Sequence, residues 1–516
     1  MRKKTTFFIA LSILFFVKCE EQFLETEPKG SPTSGTFWKT EQDVISAKNS
    51  MYLMNDFQGI YGRGIYLYSL IASDDFVVGK PKTQIEDIKN FITTGSGSYT
   101  RDIWPMHYQV IKRANDIIKN VMDVEDASEE VKNVALGEAY FMRGLAYYQL
   151  SVLYGHAGPN GGIPIVDENT IDFFIERPES VVTSYMFAID NFMKAADLLP
   201  LFSDLPSEDY GRAHKNAALG YLARTHLYLA KYDSSSWQKV ITAADRLLQT
   251  QSELEPNFED IFNVENTFGK DYIWSVPSNT QGGSILPGAS LENKGWGLYN
   301  GWGYFAPTLD LYESFEDGDL RREATLLVFG DTFIFFGEER RFWSTRSLTG
   351  IQLKKYLNPY SHPEGKYLNG NGDHPTTDLD PYLLRLSDIY LMKAEAKIML
   401  NQNADSEINI VRNRAGLPDL VDATLEDLKK ERRSEFAGEL AAAGRFEDLV
   451  RWGDFDELRK PLRGRLHEDK ENPDSPFVIY EVWPQRMFDE QKNIVWPIPP
   501  QVIDQSRGTL IQNPNY

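Results

Sequence analysis

Residues 128–154 constrain the fold more than any other part of the sequence, because their apolar side chains recur at helical spacing on two faces. The first face comprises Ala135, Ala139, Met142, Ala146, Leu150 and Leu153. The second face comprises Phe141, Leu145, Tyr148 and Val152. A helix that is apolar on two faces has to be enclosed by neighbours on both sides. We therefore expect packed helices around this segment, which ends at the glycines and prolines of 155–164.

Helical patterns also occur at 180–199, 211–231 and 235–250. The middle segment contains small residues that let two helix backbones approach closely: Ala217, Ala218, Gly220 and Ala223. It resembles a degenerate tetratricopeptide pair, although the spacing is not a regular repeat of about 34 residues. These patterns predict helical repeats over about 105–250.

A second helical block is expected at 382–453. Its first helix has one apolar face, formed by Leu386, Ile389, Met392, Ala396 and Met399. A short helix over 408–415 is ended by Gly416 and Pro418.

The last helix of this block is predicted to begin at Thr424, with Asp427 three residues further on as the partner of a capping box. This helix carries the charge run ERRSEFAGE, 431–439. The run is either a solvated face or a set of internal ion pairs made by Arg432 or Arg433.

Residues 255–380 are rich in Gly, Pro, Asn and aromatic residues and show little helical periodicity. An insert of this length is seldom a plain linker in a compact chain. It is expected to form loops, short strands and a binding face on the helical scaffold.

The amino-terminal sequence MRKKTTFFIALSILFFVKC has the order of a secretory signal, with basic residues followed by the apolar run Phe7–Val17. The run is too short to span a bilayer, which requires about 20 residues. Cys19 is the single cysteine of the chain, which excludes an internal disulfide. We expect a signal peptide over 1–18 and lipidation of Cys19. The alternatives are a buried amino-terminal helix and an ordinary free cysteine.

The formal net charge of −21 argues against two kinds of partner. No basic stripe is available to neutralise the phosphates of a nucleic acid. Adsorption to anionic lipid headgroups is disfavoured for the same reason. Attachment to a membrane should therefore be covalent or through a partner protein.

Seven stretches in sequence order together resemble the SusD/RagB family and cover nearly the whole chain. They lie at 19–43, 136–166, 211–232, 381–400, 408–420, 431–453 and 493–516. They include the LYGHAGPNGGIPIV loop, the ERRSEFAGELAAAGRFEDLVRWG helix region and the terminal NIVWPIPPQVIDQSRGTLIQNPNY. Each stretch alone is a modest signal, and their succession in this order is specific.

The resemblance implies one mainly α domain over 19–516, with a tetratricopeptide-like helical scaffold and a large irregular ligand-binding face. It also implies an outer-membrane lipoprotein facing outside, with a SusC-like TonB-dependent transporter as partner. The expected function is the capture of an oligo- or polysaccharide and its delivery to that transporter.

An enzyme would need a catalytic constellation, and the sequence contains no GxSxG, HExxH, phosphate-binding glycine loop or dinucleotide fingerprint. A pair of acidic side chains could still meet in space, as in a glycosidase. We expect a binding protein without enzymatic activity, cofactor or metal. The polar stretch 369–380 is interpreted as a turn, because its spacing does not match a calcium-binding loop.

The best candidate for a sugar site is the segment 294–319, in which aromatic residues lie among glycines. Flat rings stack on the apolar face of a sugar while polar groups at the rim bind its hydroxyls. The candidate rings are Trp296, Tyr299, Trp302 and Tyr304, with Asn293 and Asn300 as polar neighbours. The alternative is that some of these rings pack the loop onto the scaffold.

A second candidate segment, 62–77, could reach the same face with Tyr66, Tyr68, Asp74 and Asp75, of which Tyr68 and Asp74 are the chosen ligand residues. The two aspartates could equally serve as turn or capping residues. Weaker candidates are Arg341 and Trp343, in a predicted strand and turn at 333–343, while Trp104 is expected in the core.

Two other functions remain open on the sequence. One is a peptide or glycopeptide binder in the same kind of import complex. The other is a helical-repeat scaffold that makes protein contacts only. The aromatic segment favours sugar binding over the scaffold, and exposed strand edges with a basic anchor would favour peptide.

Overall fold

The structure is a computed structural model. It describes residues 37–52, 60–61, 64–172, 174–276, 303–335, 338–342, 347–356, 379–439, 444–469 and 472–516.

Helices dominate the described part of the amino-terminal half. They are α1 Glu41–Tyr52, α2 Gly64–Tyr66, α3 Thr83–Lys89, α4 Ile103–Asn120, α5 Glu129–Tyr154, α6 Val181–Leu198, α7 Lys215–Leu229 and α8 Ser236–Leu248. Helix α2 continues directly into a π-helix, Leu67–Ile71.

The later helices are α9 Leu309–Ser314, α10 Leu320–Thr325, α11 Leu386–Met399, α12 Asp405–Arg414, α13 Leu425–Glu435, α14 Arg445–Trp452, α15 Phe455–Arg459 and α16 Pro500–Gln505.

The strands are short and pair only in twos within the described residues. They are β1 Phe76–Val78, β2 Tyr272–Ser275, β3 Phe305–Pro307, β4 Leu326–Val328, β5 Thr332–Phe335, β6 Glu338–Arg341, β7 Ile351–Leu353, β8 Tyr382–Arg385, β9 Leu462–His467 and β10 Phe477–Trp483. The antiparallel pairs are β1 with β3, β2 with β8, β4 with β7, β5 with β6 and β9 with β10.

The helices pack in the order of the chain. Helix α4 packs on α5, α5 on α6, α6 on α7 and α7 on α8, and α11 then packs on α8 and carries α12 and α13. Both predicted apolar faces of α5 are enclosed, with Phe141 and Ala139 fully buried. The mainly α, tetratricopeptide-like class predicted from the sequence is confirmed.

Local sequence signals explain several helix boundaries. The capping box at α13 is confirmed, because the Asp427 N–H donates to Thr424 Oγ1 at 3.3 Å and the Thr424 N–H donates to Asp427 Oδ2 at 2.9 Å. Gly220 of α7 leaves room for a side chain of β8, since an added Cβ would lie 2.6 Å from Leu384 Cδ2. The sequence predicted that this glycine lets a second helix backbone approach, whereas its nearest neighbour is a side chain of a strand.

The insert 255–380 contains the expected short strands. The predicted strand and turn at 333–343 correspond to β5 and β6, with Phe333 opposite Arg340. The sequence did not indicate α9 and α10, which have six residues each and are too short to show a helical period.

The charge run at 431–439 forms internal ion pairs, so its interpretation as a solvated face is wrong. Arg321 Nη1 of α10 donates to Glu431 Oε1 at 2.6 Å, and Arg385 Nη1 of β8 donates to Glu435 Oε1 at 2.9 Å. We call the set Asp271, Asp319, Arg321, Arg385, Arg414, Glu431, Glu435 and Glu439 the buried ion network. It joins the insert to α12 and α13, and buried charges are tolerated when each has such partners.

No helix in the described ranges is both long enough and apolar enough to cross a membrane.

Candidate functional site

Strands β1 and β3 bring together the two segments that carry the predicted ligand residues. Their antiparallel register places Phe76 opposite Pro307. The Gly79 N–H extends the pairing by donating to the Tyr304 carbonyl at 3.0 Å. An added Cβ on Gly79 would clash with the Gly303 carbonyl oxygen, so this close approach requires glycine. We call β1, β3, Gly79, Gly303 and Tyr304 the β1/β3 junction.

Lys82 joins Tyr304 to Tyr99 at the edge of this junction. Its ammonium Nζ donates to Tyr99 Oη at 2.6 Å and to Tyr304 Oη at 3.0 Å. The same ammonium lies 5.3 Å and 5.1 Å from the centres of the two rings. Burial disfavours the charge, but the hydrogen bonds to Tyr304 and Tyr99 outweigh it and raise the pKa of Lys82. Lys82 is therefore a fixed, fully charged donor beside the aromatic segment.

Tyr304 is the one residue of the predicted aromatic set that lies within the described part of the chain. Its side chain is only 5% exposed, and the ammonium groups of Lys80 and Lys82 lie 5.8 Å and 5.1 Å from its ring centre. The Tyr304 ring is therefore buried and lies close to two lysine ammonium groups. Trp296, Tyr299 and Trp302 lie outside the described residues, as do Asn293 and Asn300.

Tyr68 lies in the core. It belongs to the π-helix, is fully buried, and stacks on Trp496 with ring centres 4.0 Å apart and planes at 16°. Burial raises the pKa of the Tyr68 hydroxyl. In this position the ring packs within the core and does not offer a face to a ligand. Tyr66 of α2 is also buried.

Asp74 and Asp75 are buried and form ion pairs with arginines from far along the chain. Arg445 Nε donates to Asp74 Oδ1 at 2.9 Å, and Arg433 Nε donates to Asp75 Oδ1 at 2.8 Å. Burial alone would raise the pKa of Asp74, but the charges of Arg445 and Arg433 outweigh burial and hold it below its usual value. The Thr308 N–H also donates to the Asp75 carbonyl at 2.9 Å. Asp75, held by Arg433, therefore positions the end of β3 and the start of α9.

The weaker candidates have different positions in the structure. Trp104 is 3% exposed, which confirms its prediction as a core residue. Arg341 is the last residue of β6, whereas Trp343 lies outside the described residues. Most of the polar stretch 369–380 also lies outside them, with only its last two residues described. Among the side chains that the structure describes, no group of three or more His, Cys, Asp or Glu is placed to hold a metal ion.

Sequence reasoning missed Lys82 and Tyr99. Tyr99 is 17 residues from Lys82, and Tyr304 is 222 residues away. The available signal was the stretch GKPK at 79–82, in which two lysines flank a proline shortly after the candidate segment 62–77. That pattern does not by itself identify which tyrosines the lysine contacts.

Two family models match the chain. The model of the SusD family matches residues 259–516. A second SusD-like model, described as starch-binding and associating with the outer membrane, matches residues 22–228. A SusD-like protein of Formosa agariphila is 25% identical over 553 residues, which is 100% of this chain and 100% of that protein.

Solved structures have the same fold. A SusD-like protein from Bacteroides fragilis superposes with a TM-score of 0.78 at 22% identity, covering 94% of this chain and 99% of that one. Surface glycan-binding protein A from Bacteroides thetaiotaomicron, solved in complex with laminarihexaose, superposes with a TM-score of 0.72 at 21% identity. That match covers 93% of this chain and 100% of the other.

Proposed function

This chain belongs to the SusD family, and on that premise we propose that it is a glycan-binding lipoprotein of the cell surface without enzymatic activity. It captures an oligo- or polysaccharide and delivers it to a SusC-like TonB-dependent transporter in the outer membrane. The family description of starch binding and the laminarihexaose complex of a protein with the same fold support the sugar as ligand. The ligand of this chain is a glycan of undefined linkage.

We place the glycan site at the aromatic segment 294–319, of which the structure describes the part from Gly303 onward. Trp296, Tyr299 and Trp302 are the stacking rings of this proposal, and Tyr304 anchors the segment to the scaffold. The observation that carries the assignment is the β1/β3 junction and the lysine beside it. Lys82 Nζ donates to Tyr304 Oη at 3.0 Å and to Tyr99 Oη at 2.6 Å, which fixes Tyr304 in place. Stacking rings beside fixed polar donors are what a sugar needs.

Tyr68 and Asp74 have supporting roles in this proposal. Tyr68 packs on Trp496 in the core, and Asp74 holds Arg445. Neither needs to contact the glycan, and their substitution should act on binding only through the shape of the junction.

Membrane attachment is proposed to run through Cys19. The single cysteine lies two residues after the end of an apolar run of signal-peptide length, with Lys18 between them, and Glu20 and Glu21 come next. Metabolic labelling with a fatty-acid analogue tests the point: a labelled wild-type chain and an unlabelled Cys19→Ala chain are expected. Equal labelling of both chains would contradict lipidation at Cys19.

Calorimetric titration of the chain without its leader against a panel of polysaccharides tests the glycan assignment. We expect one glycan class to bind and the Trp296→Ala, Trp302→Ala double variant to lose roughly tenfold or more in affinity. The magnitude is taken from the stacking of nucleic-acid bases on aromatic side chains, which contributes about 1–3 kcal/mol per base. Phe174→Ala is the control for loss of an exposed ring, because Phe174 is 42% exposed and does not belong to the β1/β3 junction. Binding of a peptide pool with no binding of any glycan would contradict the assignment.

A further inference from the structure

The hairpin of β9 and β10 carries an exposed apolar strand. Its base packs on the β1/β3 junction, where Leu462 is buried in a small cluster with residues of β1 and β3. Further along β10 the packing ends, and Phe477, Val478 and Ile479 are 45%, 53% and 47% exposed. Neighbouring large apolar side chains on a surface form a patch of the kind that marks contact with another molecule.

The register of the hairpin shows which backbone groups of β10 point away from β9. Alternate residues of β10 pair with alternate residues of β9, namely Phe477 with His467, Ile479 with Arg465 and Glu481 with Arg463. In an antiparallel ladder, hydrogen-bonded pairs alternate with pairs that are not hydrogen-bonded. The Glu468 N–H donates to the Pro476 carbonyl at 2.9 Å, so that pair is hydrogen-bonded. The pair next to it and every second pair after it, which are the three pairs named above, therefore direct their N–H and C=O groups outward.

The outer edge of β9 confirms this alternation. The Arg465 N–H donates away from β10, to the Thr349 carbonyl at 2.9 Å, and the Arg463 N–H donates to Asp310 Oδ2 at 3.0 Å. The residues of β10 opposite these arginines must direct their backbone groups to the other edge. Within the described part of the chain, the outward backbone groups of these β10 residues form no hydrogen bond.

Strand β10 lacks most of the features by which edge strands avoid association. Such strands are usually very short, carry lysine or proline, or are bulged. β10 has seven residues without a lysine or a proline, and Glu481 is its one charged side chain. The irregularity in its register lies near one end, between Glu481 and Trp483. The stretch from Phe477 to Tyr480 is therefore open to pairing with another strand.

The exposed edge of β10 is complementary to itself. A second β10 can lie antiparallel to the first with a two-fold axis at Ile479, so that the outward groups of Ile479 face those of the same residue in the second copy. Phe477 then pairs with Glu481, and all three outward positions gain hydrogen-bonded partners. Val478 lies opposite Tyr480, and an aromatic residue opposite a β-branched one is a favourable cross-strand pair.

We propose that two copies of this chain associate through β10, so that their two-stranded β9/β10 hairpins form one continuous antiparallel sheet. The contact is isologous, with Ile479 of each copy at the axis. It satisfies the outward backbone groups of both strands and covers the exposed apolar side chains. The contact uses none of the residues of the proposed glycan site and does not depend on that site.

Analytical ultracentrifugation of the chain without its leader tests the proposal, in a Cys19→Ser background that excludes an intermolecular disulfide. At physiological salt the Debye length is about 8 Å, which screens the repulsion between two acidic chains. We expect a reversible equilibrium between monomer and dimer at micromolar concentration. A chain that is monomeric at every concentration would overturn the proposal.

Two charge variants test the two-fold axis. Ile479→Lys and Ile479→Glu each place like charges opposite one another, so each should weaken dimerisation roughly tenfold or more. A mixture of the two variants brings opposite charges together and should recover the association. Val421→Lys is the control, because Val421 is 81% exposed and lies outside the hairpin, and it should dimerise as the wild type does. Equal dimerisation of Ile479→Lys and the control, or no recovery in the mixture, would overturn the symmetric contact.

Ile479→Pro tests the backbone pairing itself. Proline removes the outward N–H of this residue but leaves the ladder with β9, to which that N–H does not contribute. The variant should dimerise roughly tenfold more weakly than the wild type, because the central hydrogen bonds of the contact are lost. Its thermal unfolding should remain cooperative. Dimerisation equal to that of the wild type would overturn the role given to the strand edge.

Discussion

The buried ion network and the β1/β3 junction both hold cations in an acidic protein, but they surround those cations differently. Arg385 in the network is 1% exposed and donates to Asp271, Glu435 and Glu439. Lys82 at the junction is partly exposed and donates to two phenol oxygens. The network therefore uses its charges to hold the insert on the helices, whereas the junction presents a charge where a ligand can reach it.

The largest expected effect is on stability and comes from the network. Arg385→Met removes the cation from three buried carboxylates, and we expect the free energy of unfolding to fall by about 3–5 kcal/mol. Urea unfolding followed by circular dichroism measures this. Lys112→Met is the matched control, since Lys112 pairs with Asp116 on the exposed side of α4 and should contribute little. If Arg385→Met lost as little unfolding free energy as the control, the buried ion network would not stabilise the fold more than an exposed ion pair does.

Glu447 sharpens the comparison because it is a buried carboxyl of α14 that pairs with no cation among the described residues. Ser69 Oγ donates to Glu447 Oε1 at 2.8 Å, and Glu447 Oε2 has no hydrogen-bond partner among the described residues. Burial is the main cause that raises the pKa of Glu447 from 4.5 to about 7.

The folded state then holds a proton on Glu447 that the unfolded state releases, so stability should fall as the pH rises from about 4.5 to about 7. Glu447→Gln removes this dependence. At pH 8 the variant should be more stable than the wild type by up to about 3 kcal/mol, and at pH 4.5 the two should be similar. Urea unfolding at both pH values measures the difference, with the exposed Glu130→Gln as control. A constant difference across the pH range would contradict the account.

A smaller effect is expected at the start of α13, the helix that carries Glu431 and Glu435 of the network. Thr424→Ala removes the capping box and should cost about 1 kcal/mol of unfolding free energy. Thr424→Ser keeps the hydroxyl and should restore most of it. If Thr424→Ala destabilised as much as Arg385→Met, capping rather than the network would hold this helix in place.

The smallest effect on stability is expected at the junction. Lys82→Met should lower the free energy of unfolding by less than about 1 kcal/mol, because the two hydrogen bonds that it removes are made by a partly exposed ammonium group. The same variant should weaken glycan binding several-fold, because it removes a charged donor beside the aromatic segment. Calorimetry with the bound glycan and urea unfolding together separate the two roles. A strongly destabilised Lys82→Met variant with unchanged glycan affinity would mean that Lys82 serves the fold and not the ligand.

The sequence predicted the helical scaffold well because its signals are local. The helix predicted at 128–154 occurs at Glu129–Tyr154, and the capping box at Thr424 is present. It could not predict the fate of Asp74 and Asp75, since their arginine partners are 371 and 358 residues away. The segment 62–77 does meet the described part of 294–319 through the pairing of β1 with β3, a contact between residues more than 220 positions apart that has no local sequence signal.

Several sequence predictions stay predictions. The leader over 1–18, lipidation at Cys19, the single domain over 19–516 and the stacking roles of Trp296, Tyr299 and Trp302 belong to this group. The residues involved carry their signal in composition and short motifs, and such signals identify a class of segment without giving its contacts.

Hydrogen–deuterium exchange of the chain with and without its bound glycan tests the central claim most directly. The account predicts that protection on binding is concentrated at 79–82, around Tyr99 and over 277–307, while α6, α7 and α8 exchange as before. Protection confined to the helices of the amino-terminal array, with no change at the β1/β3 junction, would contradict it.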